Sequence, residues 1–223
     1  MKGKLIVIEG LDGSGKATQT SLLYKYLKEK NSKTITVSFP DYNQPSSTLV
    51  KMYLNSEFGK DPDIVNAYAA ASFYSIDRYA SFLKFWKEKY EDGFTIIADR
   101  YTTSNAIYQM SKLHSEHWDE YLNWLYDYEY NKLLLPKPDL VIYLDMPIEV
   151  SQELMSIRYE GNEEKKDIHE SNISFLNLCR KAALYSSKKW GWKNVKCFSG
   201  SKVKSIEEIH KEVIEIIKKG GFF

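Results

Sequence analysis

Cysteine is scarce in this sequence, and its placement excludes several kinds of site. The 223 residues include two cysteines, Cys179 and Cys197, whose separation matches neither a metal-binding nor a redox motif. A metal or thiol–disulfide centre built on closely spaced cysteines is therefore excluded. A reduced compartment, the cytoplasm, is the simplest expectation for such a chain.

Long apolar runs and a surplus of one charge are also absent. No stretch approaches the roughly 20 apolar residues of a membrane span, and the apolar run near the N-terminus is too short for a signal peptide. The 31 basic and 30 acidic residues give a formal charge of +1, so no strong overall field attracts nucleic acid or an anionic membrane. We expect neither a nucleic-acid polymer nor a membrane as partner, and any bound anion needs a local site.

Short apolar runs that alternate with helical segments indicate the fold class. This alternation is typical of βα units around a parallel sheet. The runs predict strands at residues 5–8, 34–37, 94–98, 140–144 and 194–198, and the longer segments predict helices at 46–55, 64–90, 102–112 and 117–134. We expect an α/β fold with a five-stranded parallel sheet flanked by helices, in a single domain over residues 1–223.

A glycine-rich motif between the first strand and the first helix predicts a phosphate-binding loop. The motif GLDGSGK, residues 10–16, has the pattern G-x-x-x-x-G-K in the strand–loop–helix context that this pattern requires. Backbone N–H groups, the positive end of the helix and the Lys16 ammonium would hold the phosphates of a nucleotide. The predicted nucleotide-binding residues are Gly10, Gly13, Ser14, Gly15, Lys16, Ala17 and Thr18.

One position departs from that motif. Ala17 stands where a Ser or Thr hydroxyl normally reaches Mg²⁺, and the next residue, Thr18, is turned about 100° around the helix. Magnesium would then depend on phosphate oxygens, waters and carboxylates. Asp12 and Asp99 are the predicted metal ligands, and Glu9 is a further candidate.

Three further clusters predict a second substrate site beside the loop. The second strand ends in FPDY (residues 39–42), the third ends in DRY (99–101), and the helix 64–90 carries Tyr74 and Arg78 four residues apart, on one face. In an open parallel sheet, the carboxyl ends of strands share one crevice. We therefore expect these groups to lie next to the phosphate loop.

Taken together, these motifs resemble the thymidylate kinase family. The match runs from Lys4 to about Asp145 and consists of GLDGSGK, FPDY, FYSIDR, DRYTTSNAIY and LPKPDLVIYLD, in that order. The resemblance implies a P-loop NTP hydrolase-like fold and a homodimer. It also implies transfer of the γ-phosphoryl group of ATP to dTMP, giving dTDP and ADP, with Mg²⁺ as cofactor.

The resemblance assigns roles at the base and sugar of dTMP. Tyr74 would stack on thymine, Arg78 would bond its carbonyl, Asn105 would meet the base edge, and Tyr108 would crowd a ribose 2′-hydroxyl. Arginine has only donors, so it suits the O4 acceptor of thymine and faces a mismatched amino group in cytosine.

The resemblance also assigns roles around the acceptor phosphate. Arg100 and Tyr42 would grip this phosphate, Phe39 would lie in the same substrate site, and Asp12 would lie near the sugar 3′-hydroxyl and the metal. Some members of the family carry an arginine in or near the FP segment, whereas residues 41–43 here are Asp, Tyr and Asn.

A polar segment after the fourth strand predicts a mobile lid. Residues 158–166 read RYEGNEEKK, and we expect a lid at about 158–168. In the family, a basic residue beyond the loop lysine stands either in the phosphate loop or in the lid. Because positions 13 and 14 here are Gly and Ser, the resemblance implies that Arg158 of the lid closes over the transferring group. The predicted catalytic residues are Asp12, Lys16, Arg100 and Arg158.

Three other interpretations remain open at this stage. One is phosphorylation of another deoxynucleotide, such as dUMP or dGMP, on the same fold. A deoxynucleoside kinase requires a carboxylate base near the sugar 5′-hydroxyl, and Glu9 keeps this interpretation open. A nucleotide-binding switch without turnover is compatible with Ala17 and with a lid that has one arginine.

Overall fold

A parallel sheet of five strands lies at the centre of the fold. The computed structural model describes residues 2–59, 61–158, 172–200 and 202–222. The strands are β1 (Lys4–Gly10), β2 (Thr34–Ser38), β3 (Thr95–Asp99), β4 (Leu140–Asp145) and β5 (Lys193–Lys196). Their order is β2-β3-β1-β4-β5, and every neighbouring pair is parallel. The predicted α/β class and five-stranded parallel sheet are confirmed.

Helices flank this sheet, and a two-stranded antiparallel ribbon follows β5. The ribbon consists of β6 (Phe198–Ser199) and β7 (Lys202–Val203). The helices are α1 (Lys16–Lys30), α2 (Thr48–Leu54), α3 (Ala67–Ser81), α4 (Lys87–Glu91), α5 (Thr102–Ser104), α6 (Trp118–Tyr126), α7 (Ile148–Arg158), α8 (Ile173–Trp190) and α9 (Ile206–Gly220).

The central strand β1 is buried on both faces. Leu5 and Val7 pack into one hydrophobic core, and Ile6 and Ile8 pack into another. Successive side chains of a strand point to opposite faces, so an unbroken apolar run supplies two cores at once. This explains why β1 reads as a continuous apolar run rather than an alternating one.

The helical segments are less regular than the sequence predicts. The segment expected at 64–90 begins at Ala67, where the Asn66 side chain accepts a 2.9 Å hydrogen bond from the Ala69 N–H. The three long predicted helices also contain wider π-helical turns, at Phe82–Trp86, Asn105–Gln109 and Asp127–Lys132. Regular helices were therefore the wrong expectation in these places, and π-turns of this kind are frequent at functional sites.

The strand order places a crevice at the carboxyl end of β1. This strand pairs with β3 on one side, where Ile8 lies opposite Asp99, and with β4 on the other, where Gly10 lies opposite Leu144. The chain changes direction across the sheet at this point, which is where ligands bind in open α/β sheets.

Two expectations concern parts of the chain that lie beyond this description. Residues 159–168 of the predicted lid and the side chain of Arg158 lie outside the described residues, so the lid stays a prediction. The single-domain organisation over residues 1–223 also stays a prediction. Within the described ranges, no helix combines the length and apolar character needed to cross a membrane.

Candidate active site

A cavity of about 690 Å³ opens at the carboxyl ends of β1 and β3. Its size is that of a small-molecule site. It brings together most of the predicted site residues, namely Asp12, Gly13, Gly15, Lys16, Ala17, Thr18, Phe39, Tyr42, Tyr74, Arg78, Asp99, Arg100, Asn105 and Tyr108. Gly10 and Ser14 belong to the same loop but do not line the cavity, and the side chain of Arg158 lies outside the described residues.

The phosphate loop depends on glycines at three positions. Gly13 and Gly15 adopt positive φ angles of 78° and 85°, in the left-handed region that glycine reaches without strain. A Cβ on Gly13 would lie 2.5 Å from the Ser151 carbonyl oxygen of α7, and one on Gly10 would lie 2.4 Å from Ser14 Oγ. The loop is thus packed tightly between β1 and α7.

Four side chains form a charged cluster at the mouth of this loop. Arg100 donates to Asp12, and Tyr108 donates its hydroxyl hydrogen to the other Asp12 oxygen at 2.8 Å. Lys16 Nζ donates to the Leu11 carbonyl at 2.9 Å and lies 3.6 Å from Asp12 Oδ1. In this arrangement Asp12 neutralises part of the positive charge that would otherwise face an incoming phosphate.

The ionisation of this cluster follows from its partners. Burial alone would raise the pKa of Asp12, but the charges of Arg100 and Lys16 lower this pKa below its usual range. Burial and the neighbouring Arg100 lower the pKa of Lys16. The pKa of Arg100 is raised despite burial, mainly by Asp12, so the guanidinium stays charged.

Arg100 reaches this cluster from an unusual backbone conformation. Its φ angle is 65°, and its N–H donates to the Ile8 carbonyl at 3.1 Å, which joins the end of β3 to β1. A left-handed conformation is uncommon for a residue with a Cβ and is often found at functional sites.

Glu9 does not line the cavity, although its position at the end of β1 suggested a metal ligand or a catalytic base. Its side chain is fully buried. Its oxygens accept hydrogen bonds from the Gly10 N–H at 3.0 Å, Thr103 Oγ1 at 2.6 Å and Ser104 Oγ at 2.9 Å, and Arg100 lies 3.7 Å away. Glu9 is therefore a structural anchor for α5 and does not face the cavity as a base or metal ligand would.

The other end of the cavity is built by α3 and the π-turn Asn105–Gln109. Tyr74, Arg78 and Asn105 line it together. The spacing of Tyr74 and Arg78 predicts that these two share one face, and the resemblance places Asn105 beside them. Arg78 is almost fully buried, and the carboxylate that pairs with it belongs to Glu129, 51 residues away. The pKa of Arg78 is raised by Glu129 although burial opposes this. Sequence reasoning missed Glu129, because nothing in its local pattern marks a contact this distant.

Two further residues of the site were also missed. Gln109 lines the cavity, and its buried Oε1 atom has no hydrogen-bond partner among the described residues. Asp77 accepts hydrogen bonds from the Asp41 N–H at 2.8 Å and from Ser46 Oγ at 2.6 Å, which holds the FPDY segment against α3. Asp77 belongs to the FYSIDR motif, and this was the feature of the sequence that could have identified it.

The FPDY segment places the ring of Phe39 in the protein interior and the ring of Tyr42 at the surface. Phe39 is buried, with its ring centroid 5.8 Å from that of Tyr101. Tyr42 is 51 % exposed at the rim of the cavity. Tyr42 is thus accessible to a ligand, whereas Phe39 mainly supports the wall.

The donors present fit a magnesium ion that is bound together with a nucleotide. Asp12 and Asp99 both line the cavity, and carboxylate oxygens suit Mg²⁺, which usually keeps waters and phosphate oxygens as its remaining ligands. Both Asp12 oxygens are already engaged, whereas Asp99 makes no side-chain hydrogen bond to a described residue. Over the described part of the chain, His, Cys, Asp and Glu form no cluster of three or more that could hold a metal alone.

Comparisons with known proteins agree with this geometry. The family model described as thymidylate kinase matches residues 8–213. The probable thymidylate kinase of Pyrococcus horikoshii is 27 % identical over 218 residues, 98 % of this chain and 97 % of its own. The thymidylate kinase of Prochlorococcus marinus is 29 % identical over 223 residues, 98 % of this chain and 99 % of its own. The solved thymidylate kinase of Candida albicans superposes with a TM-score of 0.71 at 27 % identity, over 99 % of this chain and 93 % of that one.

Proposed function

The chain belongs to the thymidylate kinase family, and on this premise we propose that it transfers the γ-phosphoryl group of ATP to dTMP, giving dTDP and ADP. One observation carries the proposal. A single cavity holds a phosphate loop at one end and the Tyr74–Arg78–Asn105 group at the other. A donor nucleotide and a flat base with polar edges can therefore meet in one space.

The phosphate end of this cavity suits in-line transfer between two anions. Phosphoryl transfer needs positioning and charge stabilisation more than covalent chemistry. Lys16 would leave the Leu11 carbonyl for the outer phosphates of ATP, and Arg100 would bind the acceptor phosphate. Mg²⁺, held by Asp99, Asp12 and phosphate oxygens, would supply further neutralisation of charge.

Asp12 has a positioning role in this proposal. Its ion pairs with Arg100 and Lys16 hold both cations at the cavity before any ligand binds. Preorganised cations cost no reorganisation when charge develops in the transition state. Arg158 of the predicted lid would add a further cation over the transferring group, as the lack of a basic residue at positions 13 and 14 suggests.

The base end suits a pyrimidine with a carbonyl at position 4. Arg78 offers only donors, and Tyr74, partly buried on the same helix face, offers a ring for stacking. Tyr108 lies between the base end and Asp12, where it would crowd a 2′-hydroxyl. These features favour dTMP over cytidine nucleotides and ribonucleotides.

The alternative of a deoxynucleoside kinase is disfavoured by the site. The carboxylate that kept it open, Glu9, is buried and hydrogen-bonded away from the cavity. Asp12, which does line the cavity, is paired with Lys16 and Arg100, and these two cations suit an acceptor that is already phosphorylated.

We also propose a cytoplasmic homodimer. Apolar side chains on α2, α3 and the adjoining π-turn are exposed, at 44 % for Leu49, 45 % for Ile76 and 48 % for Leu83. Apolar groups that are exposed on neighbouring elements favour burial against another chain. Light scattering after size exclusion would test this, and a monomer at micromolar concentration would contradict it.

The function is tested by ATP-dependent ADP release with Mg²⁺ across dTMP, dUMP, UMP, dCMP, dGMP and thymidine. We expect dTMP to give the highest kcat/KM, with a Lys16→Ala variant as the background control. Slow hydrolysis that no acceptor stimulates would contradict the proposal and favour a nucleotide-binding switch. A higher rate with thymidine than with dTMP would instead favour a deoxynucleoside kinase.

A further inference from the structure

Glu129 lies directly behind the base end of the cavity. It belongs to the π-turn Asp127–Lys132, and its side chain is fully buried. It does not line the cavity, yet it contacts two residues that do, Arg78 and Asn105. We propose that Glu129 is a positioning residue that sets the pattern of donors and acceptors presented to the acceptor base. This inference rests on the proposed function, because that function places a base at this end.

Glu129 first determines which nitrogen of Arg78 is left to donate to the base. Its Nε donates to Glu129 Oε2 at 2.9 Å, and its NH2 donates to Glu129 Oε1. This two-pronged pairing fixes the plane of the guanidinium. NH1 makes no hydrogen bond to a described residue, so it is the nitrogen left to donate to a ligand. The charges of Arg78 and Glu129 cancel, so this pair adds no net charge at this end of the cavity.

The second part of the pattern is set on Asn105. Its Nδ2 lies 3.0 Å from the Ala71 carbonyl oxygen and 3.0 Å from Glu129 Oε1. Both of these oxygens are acceptors, so the NH₂ group of the amide must face them and the Oδ1 atom must face away. Asn105 therefore presents an acceptor to the ligand, and Glu129 is one of the two groups that prevent the amide from turning over.

One donor beside one acceptor matches thymine or uracil. The carbonyl at position 4 accepts from Arg78 NH1, and the N3–H donates to Asn105 Oδ1. Cytosine reverses both groups, with an amino group at position 4 and an acceptor at N3. A base that leaves buried polar groups unpaired is rejected strongly. Glu129 would thus enforce selection against cytosine without touching the base.

The test compares Glu129→Gln with the wild-type protein. A glutamine has one acceptor oxygen and one NH₂ group, so in either orientation it sets an NH₂ group against a donor of Arg78. If its oxygen keeps the Oε1 position, Arg78 Nε loses its acceptor and the plane of the guanidinium is no longer fixed. If the amide turns over, Asn105 also loses one of the two acceptors that orient its NH₂ group. We expect the ratio of dCMP to dTMP dissociation constants, measured by calorimetry, to fall by about 10-fold or more, as for loss of a charge-assisted hydrogen bond. In turnover the loss should appear in the KM for dTMP, with the KM for ATP unchanged.

A matched control has the same chemical change at a remote place. Glu212→Gln breaks an ion pair with Lys204 at the molecular surface. It should leave the ratio of dCMP to dTMP dissociation constants and the KM for dTMP unchanged. If Glu129→Gln weakens dTMP and dCMP in equal proportion, Glu129 is only structural and the inference is overturned. Failure of the wild type to prefer dTMP over dCMP in binding would overturn it as well. Selective dTMP binding without turnover would instead contradict the proposed function and leave this inference intact.

A second variant decides the matter if Glu129→Gln does not fold. Glu129→Asp keeps the negative charge beside Arg78 but withdraws the carboxylate by one methylene from Asn105. We expect its ratio of dissociation constants to fall by about threefold or more, in line with one weakened hydrogen bond. An unchanged ratio in a folded Glu129→Asp protein would overturn the inference.

Discussion

Tyr108 donates its hydroxyl hydrogen to Asp12 at 2.8 Å, and this bond joins the π-turn after β3 to the phosphate loop. The ring of Tyr108 also lies under the guanidinium of Arg100, 5.3 Å from its centroid. One side chain thus offers a bulky ring to the proposed sugar site and a hydroxyl to the charged cluster. The two roles can be separated by two substitutions.

Tyr108→Phe keeps the ring and removes the hydroxyl, with its hydrogen bond to Asp12 and its longer 3.5 Å contact with Arg100 NH1. We expect kcat to fall by about 3- to 10-fold, as for loss of one hydrogen bond, with the preference for dTMP over its ribose analogue retained. Tyr108→Ala removes the ring and should abolish that preference. Steady-state kinetics with both acceptors would check this. Equal sugar preference in the wild type and Tyr108→Ala would contradict the placement of the sugar.

Ala17 offers a test of how Mg²⁺ is held. Ala17 lies exposed in the first turn of α1 and lines the cavity. An Ala17→Thr variant restores the hydroxyl that phosphate loops usually direct at the metal. We expect the Mg²⁺ concentration for half-maximal rate to fall by about 3- to 10-fold, as for one added polar contact. A titration of the rate against Mg²⁺ measures this.

The control for this substitution is the neighbouring residue. Thr18→Ala removes a hydroxyl that lies about 100° further around the helix, so the Mg²⁺ dependence should not change. A larger effect from Thr18→Ala than from Ala17→Thr would mean that Thr18 takes over the role of the missing hydroxyl.

The parts of the fold that local sequence determines could be predicted, and the parts that distant contacts determine could not. The central strands β1, β3 and β4 follow from apolar runs, because a strand buried on both faces must be apolar throughout. The edge strands β2 and β5 have one buried residue each and follow from shorter, mixed runs. Tyr74 and Arg78 share the cavity wall because four residues make about one helical turn. The phosphate loop follows from glycines whose backbone conformations are needed whatever surrounds them.

Glu129 shows the limit of this reasoning. It lies in an aromatic segment that reads as helix core, and its partner Arg78 is distant in the chain. The orientation of the Asn105 amide depends on this pairing, so it could not be deduced from the DRYTTSNAIY motif. The π-turns escaped prediction for a related reason, since their extra residue is accommodated by tertiary packing rather than by a local pattern. The role of Arg158 stays a prediction.

The two left-handed glycines of the phosphate loop should respond differently to alanine. Gly13→Ala adds a Cβ 2.5 Å from the Ser151 carbonyl of α7, whereas Gly15→Ala adds one that meets nothing within 4 Å. Both variants carry the cost of a left-handed alanine, about 1 kcal/mol. We expect Gly13→Ala to be less stable by a further 1–3 kcal/mol, approximately the cost of an overpacked site. Urea denaturation without ligands measures the difference in stability. Equal stabilities would show that α7 moves away from the added methyl group at no cost.

The loss of stability against unfolding at low pH should depend on Asp12. Its carboxyl has a pKa below the ordinary value of 3.8, because Arg100 and Lys16 outweigh the effect of burial. A group whose pKa is lowered by folding stabilises the protein above its unfolded pKa and loses this contribution as pH falls toward the folded one. The stabilisation from Asp12 should therefore be complete above about pH 5 and decline steadily below pH 4.

Asp12→Asn removes this titration and leaves Arg100 facing Lys16. We expect the variant to be less stable than the wild type by about 1–3 kcal/mol at pH 7, with a gap that narrows as the pH falls to 3. Asp119→Asn, which changes an exposed carboxylate near Lys189, should behave like the wild type at every pH. Denaturation curves at pH 3, 4, 5 and 7 would check both variants. A gap of constant size would show that the charge of Asp12 contributes nothing to stability, because only the loss of that charge makes the two proteins converge.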